Sequence, residues 1–408
     1  MPEVLYLSYD GLTDPLGQSQ VMPYILGLEK EGYSYHIISF EKHKNFEKDS
    51  NTIRELISGK KITWLPQNYR KRPPVISTLI DLRKMSKQAS KVCEKTNISI
   101  VHARSYLPGL IALKLKNRFG INFLFDMRGF WANERVDGGL WNLKNPIYRA
   151  IYKYIKKKEV QLIDKAKHII SLTQAGKEEI ISGRLFEYAH ASVPTEKITV
   201  IPCAVDLELF DPKKVSEADI QKTRQRINVN EYQKVMVYLG SIGTWYMLDE
   251  MLQYFRLWNE KNPGYIFLFV TKDDSTKILS AAKKLDISKE SIRIVSASRS
   301  EVPTFLKASD IGLFFIKPAY SKKASSATKM GEMIAMKLPF VTNKGVGDAN
   351  QIIKQYECGE LVDLEKMKVV SKTLESTRNT ELVLNYFNLE SGTANYLKVY
   401  QLYSINNA

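Results

Sequence analysis

Long hydrophobic runs are missing from this sequence. The longest apolar stretches, such as residues 265–270 and 311–316, have strand length and fall well short of the roughly 18 to 20 residues that cross a bilayer, so no membrane span is predicted. Residues 1–8 carry neither a basic lead nor an apolar stretch before a small-residue cleavage site, which argues against export. Cysteine is scarce: Cys93, Cys203 and Cys358 are odd in number and far apart. With no Cys-x-x-Cys spacing, neither a zinc nor a redox site is predicted, and a reducing, cytoplasmic setting is expected. The Gly-x-Gly-x-x-Gly fingerprint of dinucleotide enzymes is absent. The second strand, read as residues 35–40, is not closed by an acid, Ser39-Phe40-Glu41 being only a loose match, and hydride transfer is disfavoured. Neither internal repeats nor low-complexity tracts occur.

What is present is ample core material. The 408 residues are 44% hydrophobic, 25% charged and 11% aromatic, which suits a folded protein of two domains of roughly 200 residues each. A formal net charge of +16 calls for an anionic partner, and nucleic acid, acidic lipid headgroups and phosphorylated small molecules compete for that role.

Short β-branched and aromatic runs recur with helical patterns between them, the mark of parallel strands with crossover helices. Strands are read at residues 4–8, 35–40, 61–65, 98–103, 122–127, 168–172 and 198–202, and again at 234–239, 265–270, 291–295, 311–316, 338–342 and 360–363. The reading is an α/β chain of two Rossmann-like domains, residues 1–205 and 206–388. Residues 206–230, with Asp211-Pro212 as a turn, form the linker candidate. A final helix over 389–408, with Tyr396, Leu397, Val399, Tyr400 and Tyr403 at helical spacing, is expected to pack back on the first domain.

In open parallel sheets ligands collect at the carboxyl ends of strands, where helix N-termini offer free N–H groups. After the first strand comes Asp10-Gly-Leu-Thr-Asp-Pro-Leu-Gly-Gln-Ser-Gln20. There Gly17 admits close approach of an anion, Gln18, Ser19 and Gln20 offer donors, and Asp14 is an acceptor-side candidate; an ordinary strand-to-helix loop is the plainer reading. A second cluster is Ser325-Ser-Ala-Thr-Lys-Met-Gly-Glu332, opening a helix over 330–336. The Ser325, Ser326 and Thr328 hydroxyls, Lys329 and a helix start suit a diphosphate, and Glu332 is placed to accept from two vicinal ribose hydroxyls. A simple capping box at Thr328 is the alternative. A third is Phe125-Asp-Met-Arg-Gly-Phe-Trp131, in which Asp126 orients Arg128, Arg128 adds positive charge near a leaving phosphate, and Trp131 faces the acceptor; a purely structural acid and arginine pair is the alternative. His102 and Arg104 are second-rank acceptor-side candidates, a lone strand-end histidine being more often a packed residue.

The segment Ser-Ala-Thr-Lys-Met-Gly-Glu-Met-Ile-Ala-Met-Lys-Leu-Pro-Phe-Val341 resembles the donor-site segment of family 4 glycosyltransferases, retaining enzymes of the GT-B fold. In order along the chain, Gly17-Gln18, Ile170-Ser-Leu-Thr173, Val200-Ile-Pro-Cys-Ala-Val-Asp206, Val237-Tyr-Leu-Gly240 and Ala308-Ser-Asp-Ile-Gly312 agree with it. The resemblance implies two Rossmann-like domains facing each other across a deep cleft, with a nucleotide diphosphate sugar held mainly by the second and the acceptor mainly by the first. It implies transfer with retention and without a metal or other cofactor, in surface polysaccharide synthesis. Glu332 matches the second glutamate of the family's Glu-x7-Glu motif. Three positions depart from the pattern: Ala324 replaces the first glutamate, Ser241 and Tyr246 stand where an Arg and a Lys usually meet the phosphates, and Arg128 replaces a histidine. Lys329, the nearby hydroxyls and backbone donors around Ser241, Gly243 and Thr244 are expected to take over the phosphates. Base contacts are expected at Ser298 to Ser300, with Arg299 on the donor side.

Asp273-Asp274, the one pair resembling a metal-binding Asp-x-Asp, reads as a solvated turn. Basic residues gather in the first domain: Arg70-Lys-Arg72, Arg83-Lys84, Lys87, Lys91, Arg149, Lys153 and Lys156-Lys-Lys158, interleaved with Tyr148, Ile151, Tyr152, Tyr154 and Ile155. They read as either a solvated face or a peripheral contact with the inner face of an anionic membrane, giving access to a lipid-linked acceptor. Rival readings are a sugar-nucleotide epimerase, for which no carboxylate and histidine set is identified, and a silent homologue acting as a partner subunit. A nucleic-acid binder would need a recognition module, and none is recognisable.

Overall fold

Continuous rather than alternating apolar runs build the strands: Val4 to Leu7 and Ile266 to Val270 are buried at every position, as parallel strands covered on both faces must be. The computed structural model describes residues 1–188, 192–369 and 380–404. The chain divides into two compact units, Met1–Ala204 together with the segment from Leu389 onward, and Val205–Asn388.

Unit one holds a seven-stranded sheet of β1 (Glu3–Ser8), β2 (Ser34–Glu41), β3 (Ile62–Asn68), β4 (Ile98–Arg104), β5 (Phe123–Asp126), β6 (His168–Ser171) and β7 (Ile198–Val200). Their order is β3-β2-β1-β4-β5-β6-β7, and all pairings are parallel. Between them run α1 (Pro15–Gln20), α2 (Met22–Lys30), α3 (His43–Ile57), α4 (Ile76–Lys95), α5 (Tyr106–Phe119), α6 (Trp131–Asp137), α7 (Pro146–Lys165) and α8 (Gln174–Ile181). Because every strand runs the same way, crossover helices return antiparallel to them, and α4, α5 and α7 begin at the carboxyl edge of the sheet. α5 packs against both α4 and α7.

Unit two holds β8 (Lys234–Leu239), β9 (Tyr265–Val270), β10 (Ile292–Val295), β11 (Ile311–Phe314), β12 (Phe340–Asn343) and β13 (Glu360–Val362), ordered β10-β9-β8-β11-β12-β13 and likewise parallel. Its helices are α9 (Glu217–Arg226), α10 (Leu248–Lys261), α11 (Ser275–Lys284), α12 (Val302–Lys307), α13 (Thr328–Ala335), α14 (Ala349–Tyr356) and α15 (Thr380–Phe387). The closing helix α16 (Leu389–Ser404) packs on α2 of unit one, burying Tyr396, Val399, Tyr400 and Tyr403.

Every strand expected from the sequence occurs, shifted by a few residues at its ends. β12 starts late because the Leu338 N–H still closes α13 onto the Met333 carbonyl and Pro339 has no N–H to give. Three expectations are corrected. β2 does end on an acid, since Glu41 is its last residue. Residues 206–230 are no open linker: Phe210, Ile227 and Val229 enter the unit-two core, and α9 has a full capping box between Ser216 and Asp219. Val205 belongs to unit two, its N–H bonded to the Phe387 carbonyl at 2.8 Å.

Candidate active site

Strand order reverses between β8 and β11, and such a switch point is where open parallel sheets bind ligands. Lys329 projects there from the first turn of α13. Its ammonium lies 3.6 Å from the Tyr246 ring centre and 4.5 Å from that of Tyr238, and donates to the Tyr238 hydroxyl at 3.3 Å. Phe314, at the end of β11, stands 5.9 Å away. Gly240, at φ +113°, leaves room for it, because a Cβ there would sit 3.4 Å from the Lys329 Nζ. Among the described residues no carboxylate is in ion-pair contact with this cation. Burial pushes the Lys329 amine down to about 7, against the opposing charge of Glu332.

The start of α13 carries no side-chain cap among the described residues, its N-cap being Ala327, so the capping box at Thr328 does not form and the first-turn N–H groups lack the side-chain acceptor it would have supplied. Ser325, Ser326 and Thr328 are half-buried along this approach. One turn on, Glu332 is buried and accepts from Arg299 at 2.8 Å, while the Arg299 guanidinium lies 5.0 Å over Phe210. Sequence spacing brings Lys329 and Glu332 together; the tertiary fold adds Arg299.

The loop after β8 is latched from within. Asp273 accepts from the Ser241 hydroxyl at 2.8 Å and the Ile242 N–H at 2.7 Å, and the Gly243 N–H donates to the Ser241 Oγ at 3.2 Å. Asp274 caps α11 through the Thr276 N–H. Asp273 is therefore a latch rather than a solvated turn residue, and the expected phosphate donors Ser241 and Gly243 are engaged inside the loop; Thr244 is exposed beside them. Among the described residues no cluster of three or more His, Cys, Asp or Glu is placed to hold a metal ion.

In unit one the order reverses between β1 and β4, and a buried charge cluster sits beside that point. Asp126 ends β5 and meets the Arg104 guanidinium at 3.6 Å, that of Arg128 at 3.8 Å and the His102 Nε2 at 3.5 Å. Tyr396 donates to it at 3.1 Å, and the His102 Nδ1 pairs with the Tyr400 hydroxyl at 2.7 Å. Burial raises the Asp126 carboxyl, but Arg128, the His102 hydrogen bond and Arg104 outweigh it and hold it at about 2. His102 is pushed down by burial. Arg128 lies at φ +57° between Met127 and Gly129 at φ +118°, and Ser105, after Arg104, at φ +71°; such non-glycine residues cost energy and gather at working sites. Among the described residues Arg104 Nε and Arg128 NH1 are buried donors with no hydrogen-bond acceptor, and Asp126 Oδ1, 3.8 Å from Arg128 NH1, is a buried acceptor with no donor.

Other candidates have structural work. Asp14 is committed to Lys42 at 2.7 Å and Asn45 at 2.6 Å. Gly17 is required because a Cβ would lie 2.1 Å from the Gly11 carbonyl oxygen, so it serves close packing rather than anion approach. Ser19 bonds the Pro15 carbonyl, Gln20 clamps both backbone groups of Ala204, and exposed Gln18 donates to the Thr13 carbonyl. The loop N–H groups of Leu12 and Thr13 go to Glu41 at 2.9 and 3.1 Å; a side-chain carboxylate occupies the place of an anion. His102 is a packed support behind Asp126 rather than an acceptor contact. Trp131 stacks on Tyr106 and meets Trp141 edge-on at 5.3 Å.

Two consecutive family models match the chain, Glycosyltransferase Family 4 over residues 21–209 and Glycosyl transferases group 1 over residues 219–384. The chain belongs to the GT-B glycosyltransferases. Solved structures agree in fold. A glycosyltransferase from Rickettsia africae superposes with a TM-score of 0.70 at 17% identity, over 100% of this glycosyltransferase and 99% of the other chain. Sucrose-phosphate synthase from Thermosynechococcus elongatus gives 0.70 at 15%, over 100% of both chains. HepE of Anabaena, solved with UDP and glucose, gives 0.68 at 13%, over 98% and 100%. No curated protein matches this glycosyltransferase by sequence. Tyr238, Asp273, Arg299's pairing with Glu332 and the two tyrosines of α16 are site residues that sequence reasoning missed, because none stands in a motif with its partner.

Proposed function

We propose that this glycosyltransferase moves a sugar from a nucleoside diphosphate donor to a glycan or lipid-linked acceptor, with retention at the anomeric carbon and without a divalent metal, in the cytoplasm and in the service of a surface polysaccharide. The observation that carries the donor class is Lys329: a buried cation in ion-pair contact with no carboxylate among the described residues, at the start of α13 and three residues before the buried acid Glu332. A pyrophosphate attached to ribose answers both groups, phosphate to the ammonium and helix N–H groups, vicinal hydroxyls to Glu332. The HepE complex makes UDP the nucleotide to test first.

As the bond from the anomeric carbon to the phosphate oxygen breaks, its electron pair leaves with the diphosphate. Lys329 and the α13 N-terminus meet that charge without a metal. The acceptor hydroxyl oxygen forms the new bond, and its proton passes to the departing phosphate. The buried donors of Arg104 and Arg128 support an anionic group at unit one, and the three cysteines, none of them in a disulfide, suit a reducing compartment.

Thermal melts with UDP, GDP, ADP and CMP, then with their sugars, test the donor class, since a ligand bound only by the folded state raises the melting temperature. Stabilisation by one nucleoside diphosphate that vanishes in Lys329→Ala is expected; equal response to none of them ends this reading. Product anomers by NMR decide retention, and turnover unchanged by EDTA decides the metal.

A further inference from the structure

The outward face of α4 changes character along its length. Ile76 and Leu79 are 56% and 52% exposed, Val75 and Ile80 are also exposed, and on the same face follow the exposed Arg83, Lys84, Lys87 and Lys91. At about 100° per residue these positions fall in one stripe, while Ser77, Asp81, Met85, Ala89 and Val92 are buried opposite. Asp81, the acid in the first turns of α4, is turned inward and bonded by Arg70 at 3.0 Å and Tyr9 at 3.1 Å. The preceding Lys71 and Arg72 are exposed. The outer stripe thus starts aliphatic, continues cationic and meets no acid until Glu94, which pairs with Arg118.

α7 carries a weaker form of the pattern: Ile147 is 63% and Tyr154 52% exposed, seven residues apart on one face, and exposed Lys157, half-buried Lys158, and Lys165, which pairs with Asp164, follow on that side. Both helices flank α5 and both begin at the carboxyl edge of the parallel sheet, the edge at which β5 delivers Asp126 and Arg128. Of the basic residues read as a surface from the sequence, Lys156 is excluded, being buried and bonded to Asn133, Glu159 and the Leu185 carbonyl.

We propose that the starts of α4 and α7 form a docking rim for an anionic lipid bilayer. Aliphatic side chains at the helix starts enter the acyl boundary, and the lysines and arginines behind them reach the lipid phosphates. Nucleic acid answers the charge but offers nothing to Ile76, Leu79 and Ile147, and a neutral apolar surface answers the aliphatic residues but not the charge. The inference goes beyond the proposed transfer reaction and does not require it. It turns the carboxyl edge of unit one toward the layer in which a lipid-linked acceptor sits.

Flotation of the full chain with phosphatidylcholine vesicles, with and without phosphatidylglycerol, tests it. Binding to the anionic vesicles alone, released by salt, is expected. Replacing Arg83, Lys84 and Lys87 by Glu lowers the partition about tenfold or more, and Leu79→Ser lowers it about fivefold with the salt dependence kept. Melts of each variant with UDP read folding and donor binding separately, and these are expected to match the parent protein. Absent binding, equal binding to neutral vesicles, or anionic binding that Leu79→Ser leaves intact and heparin or RNA competes away would each overturn the proposal.

Discussion

Tyr396, on the helix that closes the chain, donates its hydroxyl to Asp126 at 3.1 Å across 270 residues of sequence. The chain thus leaves unit one, builds the whole of unit two, and returns to finish a hydrogen bond begun at the end of β5. Tyr400 supports the same cluster through His102. Asp126 in turn faces Arg128 at 3.8 Å, so the closing helix helps to position that guanidinium. In Tyr396→Phe we expect a loss of about 1 kcal/mol of stability and a fall in kcat of about tenfold, with donor KM little changed; unaltered kcat would show that Tyr396 serves packing alone.

Lys329 combines function with a cost in stability. Its folded pKa of about 7 lies below its ordinary value of 10.5, so the unfolded chain binds more protons between those limits and stability rises with pH across that window. Lys329→Met fills the same tyrosine cage without a charge. We expect it to gain about 1–3 kcal/mol at pH 7 while losing nucleotide stabilisation. In the parent protein, donor affinity is expected to be level below pH 7 and to fall as pH rises through it, with proton uptake on binding; calorimetry in buffers of different ionisation enthalpy measures both.

The Arg299–Glu332 pair at 2.8 Å presents one carboxylate oxygen to a guanidinium, and in the proposed donor complex the other meets the ribose. Glu332→Gln is expected to raise donor KM about tenfold with a smaller effect on kcat. The same variant should bind a 2′-deoxy nucleotide as well as the parent does. A penalty undiminished for the deoxy nucleotide would remove the ribose assignment.

Lys156 and Glu159 form a buried pair inside unit one, supported by Asn133 and the Leu185 carbonyl. Burial raises the Glu159 carboxyl, with the charge of Lys156 opposing it. Removing one partner strands the other: Lys156→Ala is expected to cost about 3–5 kcal/mol in urea unfolding. Lys157→Ala, one residue on and exposed, should be neutral in that assay and weaken vesicle binding.

By itself the sequence determined the class of the fold, because a strand buried on both faces must be a continuous apolar run and the helices between must carry a stripe; runs such as Val4 to Leu7 and Ile266 to Val270 are visible without coordinates. It also determined that Lys329 and Glu332 share a helix face, since they lie one turn apart on a single helix and need no tertiary contact to be neighbours. Only the tertiary structure decided which charges are spent. Glu41, Asp273 and Asp14 look available in sequence and are consumed by loops folded onto them, while Lys156 looks like surface and is core. A carboxylate's partner is chosen by proximity in space, and the energy of a charge depends on its distance from water. Neither quantity is written in the order of residues along the chain.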